Sequence, residues 1–167
     1  VELNKAVEYS ATLGPACLDT SGVKQSTPSD PFIGFIAGFG GEKLPLKQAP
    51  VAVIPEHDCK ISYGESSISK DQFCAGYSSG SVDACKSDTG GPFMTINKEA
   101  GQRKLSGIIS WSRGCGQAGR SAVYSKISSY ANWIFETIRD VDAPISIGTT
   151  NEFAVEAEND DSNPDFD

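Results

Sequence analysis

The side chains best suited to chemistry are gathered in one run, Asp83-Ala84-Cys85-Lys86-Ser87-Asp88-Thr89-Gly90-Gly91-Pro92. Thr89 places a hydroxyl between an acid and two glycines. A hydroxyl attacks a carbonyl only when a neighbouring imidazole takes its proton and backbone N–H groups face the developing oxyanion. The chain has one histidine, His57, and it lies 32 residues upstream. Thr89 is internal, so the α-amine that activates an N-terminal threonine is not its own. Its methyl group also stiffens the first side-chain torsion and intrudes where a carbonyl would approach.

The second reactive set is Cys17, Cys59, Cys74, Cys85 and Cys115. No C-x-x-C pair occurs, which argues against zinc or thioredoxin-type chemistry, and neither metal nor cofactor is expected. The spacings fit loop-closing disulfides in an oxidising compartment. An odd count leaves one cysteine for another chain or for a free thiol.

These residues need a frame. Apolar runs at Phe32–Ala37, Val51–Ile54, Leu105–Trp111 and Ala122–Ile127 are separated by Gly, Ser, Pro and Asp, the pattern of an antiparallel all-β barrel. Tyr130, Trp133, Ile134 and Ile138 recur at helical spacing, which predicts a C-terminal helix over 128–139 with its stripe on a core and Ser128 or Ser129 as cap. Residues 18–31 are polar and turn-forming, as in a linker between two packed bodies. With 167 residues, 38% hydrophobic and 22% charged, the chain fits one globular unit.

The net charge of −8 is local: Asn151–Asp167 holds seven acids and no base, leaving 15 acids against 14 Lys and Arg elsewhere. The segment 140–167 therefore reads as an acidic, solvated, disordered tail, or alternatively as a docking arm for a basic partner. No basic patch points to nucleic acid, and no apolar run is long enough for a transmembrane helix, so neither nucleic acid nor membrane is an expected partner.

Asp83–Pro92 resembles the nucleophile loop of the trypsin-like serine proteases, D-S-C-x-G-D-S-G-G-P. Phe73-Cys74-Ala75-Gly76-Tyr77, Gly107-Ile108-Ile109-Ser110-Trp111-Ser112-Arg113-Gly114-Cys115 and Val123-Tyr124-Ser125-Lys126-Ile127 resemble further motifs of that family, in the same order. The resemblance implies a half of the two-barrel fold. Residues 1–17 would be the last strand of the first barrel and the start of the linker, 18–31 the linker, 32–127 the second β-barrel and 128–139 the closing helix. The family's catalytic His and Asp would lie before Val1, and an N-terminal protease-fold chain or propeptide would cover the exposed seam.

Carried over residue by residue, the resemblance puts Thr89 at the nucleophile position, disabled by its methyl. Ser87 stands at the oxyanion-hole position, where glycine is usual and a side chain would strain the peptide. Asp88 would receive a buried N-terminal ammonium, a role not given to Val1, whose Val1-Glu2-Leu3-Asn4 context differs from the family's terminus. Asp83 would lie at the base of the specificity pocket, Ser110 and Trp111 on its wall, and Ser112 and Ala122 where glycines usually leave room. Disulfides Cys59–Cys74 and Cys85–Cys115 are implied, with Cys17 tied to the partner chain. Gly34 and Thr95 stand where another bridge is common. His57 would be a plain surface-loop histidine.

These correspondences imply a secreted, extracellular, non-catalytic serine protease homologue that binds or regulates, a proteolytic cascade being one setting for it. The alternatives are a Lys/Arg-directed endopeptidase completed by the preceding chain, and a structural subunit of an extracellular assembly.

Overall fold

A computed structural model describes residues 3–24, 26–27, 29–40, 45–80, 82–97 and 101–140. The tail expected over 140–167 falls outside the described residues beyond Asp140, as do Val1 and Glu2. Strands β1 (Cys17–Leu18), β2 (Ile33–Gly38), β3 (Lys47–Ile54), β4 (Gln72–Gly76), β5 (Pro92–Ile96), β6 (Arg103–Trp111) and β7 (Ala122–Lys126) are joined by helix α1 (Glu56–Tyr63) and followed by α2 (Ala131–Asp140). Six strands run antiparallel in the order β6-β5-β2-β3-β4-β7, and β7 pairs back onto β6, closing a barrel. Closure leaves none of the six as a free edge.

The four apolar runs became β2, β3, β6 and β7. Alternation explains their packing: Val51 and Val53 of β3 point inward, as does Ile36 of β2. The core centres on Phe73, Phe93 and Tyr124, whose ring centroids are 5.0–5.3 Å apart. Gly34 makes this packing possible, because a Cβ there would lie 2.2 Å from the Phe93 ring. The β2–β5 register pairs Phe35 with Met94, so one further step brings Gly34 opposite Thr95. That is where a cross-strand bridge would sit; here Thr95 is buried and shares a 2.7 Å hydrogen bond with Ser106.

Three features differ from the sequence expectations. Helix α1 replaces the surface loop expected around His57; Cys59 and Tyr63 are its buried residues, a stripe too narrow to register as amphipathic. The chain enters α2 through a 3-10 turn, Ser128–Tyr130, preceded by Ile127 already in right-handed helical backbone (φ −61°, ψ −41°) and without a side-chain cap. A serine cap needs an extended residue there, so Ser128 and Ser129 do not serve as one. Finally, the apolar stripe is not packed on the barrel: Ala131 is buried and Ile134 partly so, but Tyr130, Trp133 and Ile138 are 44, 64 and 47% exposed.

The polar stretch from Leu18 onward is also pinned at its start. β1 lies parallel on β6, and Asp19 N–H donates to the Leu105 carbonyl (2.9 Å). The buried Asp19 carboxylate accepts from the Ser21 hydroxyl (2.6 Å) and the Ser106 hydroxyl (2.7 Å), so its desolvation is offset by hydrogen bonds.

Candidate functional site

Thr89 follows a 3-10 turn, Lys86–Asp88, and is exposed. The loop is held from both sides. Gly90 N–H donates to the Ile109 carbonyl and Ile109 N–H to the Gly91 carbonyl, both at 2.9 Å, tying it to β6. Gly90 has φ +88°, a left-handed conformation that side chains resist, which accounts for glycine directly after Thr89. The Asp88 carboxylate spans two segments, accepting from Gly40 N–H (2.9 Å) and Cys85 N–H (3.1 Å). Gly38 lies so close that a Cβ there would meet Asp88 Oδ1 at 2.3 Å. Asp88's described partners are thus backbone amides from the β2 end and its own turn.

Ser87 sits inside the 3-10 turn. Such turns use right-handed backbone that any residue adopts, so the serine fits without the strain expected from replacing a glycine.

Thr89 opens onto a cleft of about 410 Å³ lined also by Ser110, Trp111, Ser112 and the Cys85–Cys115 disulfide. A bulge makes this wall. Ile109 pairs with Tyr124 and Trp111 with Val123, so Ser110 is the extra residue on β6. The added residue re-aims the strand, leaving Ile109 buried while Trp111 reaches the cleft. The Ser112 hydroxyl donates to the Gly114 carbonyl (2.7 Å), so its oxygen is bound to its own loop.

The other two expected pocket residues do not line this cleft, but they lie against each other, the Asp83 carboxylate meeting the Ala122 backbone amide. Ala122 is fully buried, paired with Ala75 in the barrel, and does not line the cleft. Asp83 is absent from the lining as well. Its half-buried carboxylate accepts from Ala84 N–H (2.9 Å) and Gly116 N–H (3.1 Å), and burial raises its pKa above the ordinary carboxylate value despite these amides. Behind them, the buried Tyr124 hydroxyl has no hydrogen-bond partner among the described residues, and burial pushes its pKa well upward. His57 is exposed on α1.

The second disulfide, Cys59–Cys74, joins α1 to β4. Cys17 is unpaired with another cysteine and half-buried, with Gln102 Nε2 donating to its Sγ (3.1 Å). Sequence reading assigned no role to Tyr63, Arg113 or Arg120. Tyr63 packs edge-on against Trp111 (5.0 Å between centroids), its hydroxyl donates to the Ser121 carbonyl, and Arg113 lies over its ring at 5.5 Å. Arg113 was visible inside a motif, but its partner is 50 residues away. Only folding joins them.

Among the described residues no group of His, Cys, Asp and Glu could hold a metal ion, and no helix is long and apolar enough to cross a membrane. In comparison with known proteins, residues 1–134 match the family described as Trypsin. The chain is 34% identical over 142 residues to coagulation factor XI of Bos taurus, covering 81% of this chain and 22% of that protein. It therefore spans about a fifth of that relative's length. With a closed antiparallel barrel, both disulfides and a family match over most of its length, this chain belongs to the trypsin family.

Proposed function

We propose that this chain is the second barrel of a secreted serine protease homologue that holds an extended polypeptide in the cleft beside Thr89 without cutting it. The observation that carries this reading is Thr89 itself, exposed at the cleft and standing where the motif resemblance puts the family's nucleophile. Its methyl group adds support, because it stiffens the side chain and crowds the approach of a carbonyl to the hydroxyl. The two disulfides and the similarity to a coagulation factor support an extracellular setting.

Two partners follow from this reading. A first barrel would supply the remaining half of the fold and cover α2, and Cys17 would carry a disulfide to a propeptide or second chain. Mass spectrometry of the unreduced complete protein tests the latter, and a free Cys17 thiol there removes the link. A second reading, a trypsin-like endopeptidase, is favoured by the family itself and by the hydroxyl retained at Thr89. The complete protein, mixed with a fluorogenic arginine amide and a fluorophosphonate probe, decides between them. No turnover and no label are expected; turnover with labelling at Thr89 would overturn the non-catalytic reading.

A further inference from the structure

The cleft has a cationic rim. Its lining residues are uncharged, and Arg113 sits between two of them, Ser112 and Gly114. The Arg113 guanidinium is laid over the ring of Tyr63, a buried residue that in turn braces Trp111, so Tyr63 holds a positive charge beside the aromatic side of the cleft wall. Arg120 joins it, its Nη1 lying 3.5 Å from the Arg113 carbonyl. Both arginines are exposed. Among the described residues neither has a carboxylate partner; the ion pair found there is Lys60–Glu56 on α1. Asp83, the acid whose charge reaches Tyr63 alongside both arginines, is turned to the amides of Ala84 and Gly116.

Stacking occupies the face of a guanidinium and leaves its in-plane N–H donors free, and those donors match a carboxylate in geometry and charge. Two such groups beside an aromatic cleft wall attract an acidic side chain and repel a lysine.

We propose that Arg113 and Arg120 form a selectivity subsite, so that the peptide held in this cleft is one carrying Glu or Asp where it passes Trp111. The inference rests on the peptide-binding reading of the cleft and names the class of ligand.

Positional-scanning octapeptide libraries test it, each with one position set to Glu, Gln or Lys and the rest randomised. They are captured on the immobilised complete protein and quantified by mass spectrometry at low and high salt. At one or two adjacent positions Glu should be retained about tenfold over Lys, falling with salt, as expected for a charge-assisted contact at a partly exposed site. In the Arg113→Gln/Arg120→Gln double variant that preference should vanish while side-chain preferences at the other positions persist, which also reports an intact cleft. Retention of peptides with no Glu-over-Lys preference at any position, or a preference that survives the double variant, overturns the subsite alone. Retention of no peptide at all overturns the peptide-binding reading, and the subsite with it.

Discussion

Asp83 is a half-buried carboxylate held by backbone amides. Its oxygens accept backbone amides of Ala84 and Gly116, and burial raises its pKa, with those amides pulling the other way. A carboxyl whose pKa is raised on folding binds its proton more tightly in the folded state, so its ionisation removes stability as pH climbs from the ordinary Asp value through the raised one. Asp83→Asn lacks that ionisation. The stability of the wild type relative to this variant should therefore decrease between about pH 3 and pH 7, read from urea midpoints across that range. A difference that stays constant or grows would mean that burial does not dominate at Asp83. The residue scale also separates two kinds of legibility. Thr89 at the nucleophile position could be read from the sequence alone, because a motif fixes it against its neighbours. Arg113 and Tyr63 could not, because their contact depends on α1 and the β6 end meeting in space.

At the scale of elements, the two disulfides hold different parts. Cys59–Cys74 fastens α1 to β4 across a separation of 15 residues, while Cys85–Cys115 ties the nucleophile loop to the end of the cleft wall across 30. Removing either by paired Cys→Ala substitution should cost about 2–4 kcal/mol, and doubling the loop adds only about 0.6 kcal/mol, so the two variants should have similar denaturation midpoints. They should part in local protection: loss of Cys85–Cys115 should speed amide exchange across 86–91 and 112–116, and loss of Cys59–Cys74 across α1. Equal exchange in both variants would show that neither disulfide organises its own loop. Most strands were legible as apolar runs between turn residues. Helix α1 was not, since Cys59 and Tyr63 alone mark its buried side.

For the whole molecule, the exposed face of α2 is the feature that a single barrel leaves unresolved. Trp133 is 64% exposed in this chain and Ile138 47%. If a first barrel covers that face, Trp133→Ser in the complete protein should cost about 1.5–3 kcal/mol, the value of burying a large apolar side chain. A change within about 0.5 kcal/mol, typical of surface positions, would leave the face uncovered. The match over residues 1–134 and the short share of the bovine relative that the chain spans both make the complete protein the proper object for that measurement.

The sequence by itself determined the family, four of the six barrel strands and the loop that carries Thr89, each written in local spacing or in motifs that keep their order, and the family resemblance implied the cysteine pairs. Tertiary structure decided which side chains share one cleft. A single extra residue at Ser110 turns Trp111 toward Thr89, while β4–β7 pairing buries Ala122 and the amides of Ala84, Gly116 and Ala122 hold Asp83. Register, bulges and closure act between segments far apart in the chain, and no local pattern of residues encodes where they bring side chains together.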